Sequence, residues 1–278
     1  MTAGLFDENY YRRGCGERPY RREPGWLAFF AGLAEQIARR LAPRTVLDAG
    51  CAMGFLVEAL RDRGIEAEGV DISEYAIGQV RADVRPYCRV GSVLEPFPRR
   101  YDLITCIEVL EHLPAEAAEP AVANLCRHAD DILFSSSPRD FTEATHFNVQ
   151  PAEYWAELFA RNGFARDVDF DAAFITPWAA RFRRASEPWP RLVRAYERGF
   201  SRLAEENAEL RAALGRARQE QLQAEERAAS ERAALAASPA WELAQALLAW
   251  KGRLAPAGSR RERWLDRIVL ATRRPKQP

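Results

Sequence analysis

The chain has 278 residues, with 40 Lys+Arg against 40 Asp+Glu, 47% hydrophobic and 29% charged residues. Formal neutrality excludes nucleic-acid binding driven by overall charge, and the composition is that of an ordinary globular protein, neither disordered nor collagen-like. The most apolar stretch, Trp26 to Ala34, stops at Glu35, far short of the roughly 20 residues needed to cross a bilayer.

Met1 to Glu8 lack the basic start and apolar core of a secretory signal, which predicts a cytoplasmic chain. An amphipathic helix follows from Trp26 to Leu41 and is broken by Pro43, so residues 1–44 read as an N-terminal lid and helix. From 45 to 184, short β-branched runs alternate with amphipathic stretches, the pattern of βαβ units that build a parallel sheet covered by helices. Strands are predicted at Thr45–Asp48, Ala67–Asp71, Tyr87–Val90, Leu103–Ile107, Ile132–Ser135, Phe164–Phe170 and Phe174–Phe182. Helices are predicted at Gly54–Arg63, Glu74–Arg81, Ala115–Cys126 and Pro151–Asn162, with Trp155 and Phe159 in the core. Cys15, Cys51, Cys88, Cys106 and Cys126 form no Cys-x-x-Cys pair, which predicts reduced, mostly buried thiols.

After Arg184 the composition changes. Pro188 and Pro190 mark a boundary, and Arg191 to Ser238 contains no proline and only Gly199 and Gly215, so 185–237 reads as one long helix. A heptad frame places Phe200, Asn207 and Leu214 at one core position and Tyr196, Leu203, Leu210 and Ala217 at the other. The seam over 196–217 predicts a homodimer, and a solvated Ala/Glu/Arg-rich helix fits the same composition. A further helix starts at Ser238 as N-cap with Pro239 in its first turn, opening a basic amphipathic tail, 238–278. From Lys251 to Pro278 there are nine basic and two acidic residues, an excess of seven positive charges. Trp264, Leu265, Ile268 and Val269 fall on one side of that helix, which suits an anionic membrane surface, a partner protein or the protein's own surface.

Chemistry concentrates in Val46-Leu47-Asp48-Ala49-Gly50-Cys51-Ala52-Met53-Gly54, an acidic strand end followed by a glycine turn and a helix. The spacing D-x-G-x-x-x-G differs from the dinucleotide fingerprint G-x-G-x-x-G. A carboxylate at Asp48 also repels a pyrophosphate and suits an amino group or another cation. Asp71 ends the second strand 23 positions later, where such folds present an acceptor to a ribose diol. Arg100 to Leu113 then reads as a strand entering the acidic turn Glu108-Val109-Leu110-Glu111-His112, with Asp102 as a turn cap.

These three elements resemble the class I S-adenosylmethionine (SAM)-dependent methyltransferases over residues 40 to 170. The resemblance implies a Rossmann-like, seven-stranded, mostly parallel sheet flanked by helices. It implies that Gly50, Cys51 and Ala52, with Gly54 opening the helix, lie against the methionine part of SAM, and that Asp48 holds the loop or the amino group. Asp71 would take the ribose hydroxyls, Ile72 would lie beside the adenine, and Glu108 and Val109 would lie under the methionine moiety. Ser92 and Val93 stand where the family often has an acidic residue on the adenine amino group, a departure. Asp7-Glu8-Asn9-Tyr10-Tyr11, Gly14-Cys15-Gly16, Ser135-Ser136-Ser137-Pro138 and Thr145 to Pro151 resemble a bacterial subgroup associated with glycosyltransferases and surface polysaccharides. That likeness implies a sugar or glycan hydroxyl as acceptor; the basic tail 251–278 would meet either a glycosyltransferase partner or an anionic membrane surface, the latter giving a peripheral place at the inner membrane face.

A sugar hydroxyl is a poor nucleophile until its proton is removed, so a general base is expected. Of the three histidines, His128 reads as a helix-end cap. His112, beside Glu111, and His146, in the loop after the fifth strand, lie on the ligand-binding edge, and His146 is the preferred base. No histidine pair has metal-ligand spacing, so no catalytic metal is expected. Tyr10 and Tyr11 are placed to close over SAM, since aromatic faces attract a sulfonium. A noncatalytic assembly protein using the long helix and a nicotinamide-dependent sugar oxidoreductase are the competing readings, and no specific nucleic acid is expected.

Overall fold

Strands covered on both faces must be apolar on both, and β1 (Thr45–Ala49) has four of its five residues buried. In the computed structural model, which describes residues 3–13, 15, 18–186, 188–255, 259–261 and 263–264, β1 is central. It pairs with β2 (Glu66–Asp71) and β4 (Leu103–Ile107), and with β3 (Cys88–Val90), β5 (Asp131–Ser135), β6 (Phe164–Arg166) and β7 (Ala180–Arg184) the sheet has the order β3-β2-β1-β4-β5-β7-β6. All pairings are parallel except those of β7, which runs antiparallel to both neighbours.

Alternation along the strands sends side chains to two cores. Val46, Ala67, Leu103 and Leu133 pack with Leu33 and Ile37 of α2 (Pro24–Arg40), Leu56 and Leu60 of α3 (Phe55–Arg61) and Ile77 of α4 (Glu74–Gly78). Leu47, Val70, Ile104, Ile132 and Phe134 pack with Val122 and Leu125 of α5 (Ala115–His128) and Trp155 and Phe159 of α6 (Ala152–Arg161). A third cluster gathers Phe6, Tyr11 of the short α1 (Glu8–Arg13), Tyr20, Met53 and Phe55. The five cysteines are free thiols, four of them buried.

The sheet departs from expectation on its antiparallel side. The sixth strand stops at Arg166 instead of Phe170, because Asp167 and Asp171 accept hydrogen bonds from the backbone two residues on, at 3.3 and 2.9 Å, and turn the chain. The seventh starts at Ala180 instead of Phe174, past Pro177, which has no N–H for a ladder. Phe170 and Phe174 instead take the guanidinium of Arg40, at 4.2 and 5.3 Å from their ring centroids. His128 ends α5 as expected, its Nδ1–H donating to the Asn124 carbonyl at 2.8 Å, and Asp102 accepts from the N–H groups of Arg44 and Thr45.

Two compact units divide at 200/201. The long helix is α7 (Trp189–Ala236). Within the first unit its opening turns meet the loop after β6, where Arg198 pairs with Asp169 and a Cβ at Gly199 would contact Val168. In the second unit the seam residues Leu203, Leu210 and Leu214 are exposed. It also contains α8 (Pro239–Leu254), capped by the Ser238 hydroxyl on the Trp241 N–H. No described helix is long and apolar enough to cross a membrane. Gly14 and Gly16 of the subgroup pattern, and Leu265, Ile268 and Val269 of the tail, lie outside the described residues.

Phe159 is fully buried and stacks on Phe182 with centroids 4.0 Å apart. Phe159→Ala is expected to cost about 3–5 kcal/mol of unfolding free energy, measured by urea denaturation.

Candidate active site

Strand order reverses between β1 and β4, and in open α/β sheets ligands bind at the strand C-termini beside such a switch point. A cavity of about 520 Å³ opens there. The loop leaving β1 forms its floor. The N–H groups of Gly50 and Cys51 donate to the Val70 carbonyl at 2.7 and 3.0 Å, and the Ala52 N–H donates to the Asp71 carboxylate at 2.8 Å. Gly50 has φ +89°, and a Cβ there would meet Val109 Cγ2 at 2.2 Å. The glycine is thus required by the close approach of β4's following turn as well as by its own dihedral. Ala52 and Glu108 also hold positive φ, 45° and 53°, so two non-glycine residues of the site are strained.

Asp48, Gly50, Cys51, Ala52, Asp71, Ile72, Ser92, Val93, Glu108, Val109, His112 and His146 all line this cavity. Gly54 does not. It is the N-cap of α3 at φ 69°, packed near Cys88 and Val80, so its role is to start the helix. Holding the loop falls to Asp71 and Val70. Asp48 instead accepts from the Thr105 hydroxyl at 2.7 Å, and burial, reinforced by the charge of Asp71, pushes its pKa up to about 7 despite that bond. Burial also raises the pKa of Asp71, opposed by the backbone N–H groups it accepts from. Ser92 turns its hydroxyl to the Leu94 N–H at 3.1 Å.

At the other end of the cavity two loops converge. His112 Nδ1–H donates to the backbone carbonyl of Thr145 at 3.1 Å. His146 Nδ1–H donates to the Asp140 carbonyl at 2.8 Å. A carbonyl can only accept, so in both neutral rings Nδ1 carries the proton and Nε2 is left as an acceptor. The rings lie 4.7 Å apart between centroids. Burial, with His146 adjacent, lowers the pKa of His112 to about 4.

Glu143 stands 3.5 Å from His146 Nε2 and accepts from Tyr10 Oη at 3.0 Å and Thr145 Oγ1 at 2.7 Å. Glu111 is fully buried, with one oxygen on the Ser137 N–H and the other unpartnered. Ligand atoms of Glu111, His112 and His146, and of Asp140, Glu143 and His146, lie within 4.8 Å of one another. Sequence spacing did not foretell this convergence, because the histidines come from loops 34 residues apart. Asp140, Glu143 and Trp178, whose indole N–H donates to Glu108 at 2.9 Å, carry no motif that could have marked them. Tyr10 and Tyr11 do reach the cavity, as do Tyr20, Trp26, Phe29 and Phe30. Among the described residues lining it are five carboxylates, Asp48, Asp71, Glu108, Asp140 and Glu143, and no Lys or Arg.

Asp48 is more basic folded than unfolded, so the fold loses stability as pH rises from about 4 through about 7. Asp48→Asn, which keeps the acceptor for Thr105, should therefore stabilise the unliganded protein by about 1–4 kcal/mol at pH 8 and by less at pH 5.5, read by urea unfolding at both. Gly50→Ala should cost about 2–4 kcal/mol in the same assay.

A family model described as "Methyltransferase domain" matches residues 21–167. A ubiquinone biosynthesis O-methyltransferase of Azoarcus sp. (strain BH72) is 34% identical over 130 residues, 44% of this chain and 55% of that protein. One of Coxiella burnetii (strain Dugway 5J108-111) is 31% identical over 147 residues, 50% of this chain and 62% of that protein. The chain thus spans little more than half the length of these curated relatives. In fold it is similar to the magnesium protoporphyrin IX methyltransferase of Synechocystis PCC 6803 with bound S-adenosylhomocysteine (SAH), at TM-score 0.51 and 18% identity over 66% of this chain and 98% of that one. The family match covers more than half of the chain: this chain belongs to the methyltransferase domain family.

Proposed function

We propose that the chain is a SAM-dependent O-methyltransferase acting on a hydroxyl of a sugar or glycan, free or on a nucleotide or lipid carrier. The observation that carries the donor assignment is the cavity's charge: five carboxylates and no Lys or Arg line it. Such a lining attracts a sulfonium and an ammonium and repels the pyrophosphate of a nicotinamide dinucleotide. The donor set fits. Each Asp71 oxygen accepts one backbone N–H, from Ala52 or Ser73, and keeps a lone pair for a ribose hydroxyl. Asp48 faces the cavity with only Thr105 as partner, suited to an amino group. Ile72 and Val93 offer apolar walls to the adenine, and Tyr10 and Tyr11 offer ring faces to the sulfonium.

When bound, SAM supplies a methyl group for in-line transfer. The chain's own part is to hold the acceptor oxygen in line and take its proton. His146 serves as base: its Nδ1–H donates to the Asp140 carbonyl, which leaves Nε2 to accept the proton, and Glu143, 3.5 Å from Nε2, stabilises the imidazolium. His112, kept neutral by burial, orients the hydroxyl. Asp140, Glu143 and the indole of Trp178, all lining the cavity, supply acceptors and an aromatic face of the kind on which a polyol ring is held. A phenolic acceptor is the second reading, favoured by the aromatic wall of Tyr20, Trp26, Phe29 and Phe30 and by the relatives' role in ubiquinone biosynthesis.

Calorimetric titration with SAH and with NAD(P) tests the donor. SAH should bind with micromolar or tighter affinity, at least about tenfold weaker in Asp71→Ala, and NAD(P) should not bind. Binding of neither leaves an assembly protein built on the long helix. With sugars and catechols as acceptors, His146→Ala should lower turnover at least about 100-fold while SAH affinity is kept.

A further inference from the structure

The helix α8 leaves large apolar side chains in solvent. Trp241, Leu243, Leu247, Leu248, Trp250 and Leu254 are between 41% and 63% exposed. They are not scattered. At about 100° per residue, these six occupy an arc of about 180°, from Trp250 through the leucines to Trp241, and Glu242, Gln245 and Arg253 fall on the opposite side. Lys251 lies within the arc and is partly buried.

We propose that this face of α8 lies in the surface of an anionic lipid bilayer, a binding surface independent of the methyl-transfer site. Charge selects that occupant. Residues 251–278, which begin within the last turn of α8, carry nine basic and two acidic residues, so the rest of the chain balances an excess of seven positive charges. Arg253, Arg260 and Arg261 are exposed. A second copy would bring a second such excess to the same interface, whereas anionic headgroups neutralise it. The two tryptophans support the same geometry. They border the apolar arc, so in a helix lying flat they reach headgroup depth, where an indole has one end in hydrocarbon and one in water, and the leucines between them point inward.

The test is co-sedimentation of the full chain with vesicles of phosphatidylcholine alone or with about 30% phosphatidylglycerol, with SAH affinity measured on the same samples. Binding should need phosphatidylglycerol and fall at least about fivefold between about 0.05 and 0.5 M salt. Leu247→Asp with Trp250→Asp should weaken it at least about tenfold and leave SAH affinity unchanged, and the milder pair Leu243→Ala, Leu247→Ala should weaken it in the same direction. The proposal is overturned by absence of binding to the anionic vesicles or by wild-type binding in both variants. It is equally overturned if the variants dissociate a dimer in sedimentation velocity while vesicle binding is unchanged, which assigns the face to a second copy. SAH affinity reports separately on the donor site, so either reading can fail without the other.

Discussion

One buried carboxylate organises the ligand-binding edge. Asp71 accepts the Ala52 N–H from the loop after β1 and the Ser73 N–H that leads into α4. Ser73 caps α4 through the Ala76 N–H and donates its hydroxyl to the Phe6 carbonyl. Glycine loop, helix start and N-terminal lid therefore hang on a single side chain and its neighbour. Backbone dipoles make this arrangement tenable, because they hold a charge that burial opposes. Without that carboxylate, two backbone donors would be left without their present partner.

The same economy governs the electrostatics of the cavity. Asp48 and Asp71 share its floor, and Glu111 is buried beside Glu108, whose charge together with burial holds the pKa of Glu111 well above the usual carboxylate range. Nothing basic beyond two imidazoles lines the cavity among the described residues. A protein that concentrates carboxylates in this way stores unfavourable energy that a cationic ligand relieves, so affinity and charge selectivity come from one source.

Much of this was legible in the sequence because it obeys local rules. The parallel half of the sheet follows from apolar runs separated by helical patterns, and the D-x-G turn with Asp71 23 positions on marks two strand ends that a parallel pair must bring side by side, as the Asp48–Gly69 register does. Where local rules compete, the reading slipped. Phe170 and Phe174 look like strand residues, yet Asp167, Asp171 and Pro177 turn the chain and the rings find Arg40 instead. Gly54 opens its helix as its position implies, and does not line the cavity. The meeting of His112 with Asp140, Glu143 and His146 is long-range and has no period, so only the folded chain reveals that two loops share one end of the cavity.

The N-terminal segment is one wall of the cavity, and that wall is anchored from two sides. Phe6, Tyr10 and Tyr11 line the cavity, while Tyr10 is tied to Glu143 and Phe6 to Ser73. These two ties and the packing of the third core cluster fix the N-terminal wall against the rest of the cavity. A substitution at Tyr10 or Ser73 therefore acts on two things at once, the outline of the cavity and the anchorage of the N-terminal segment.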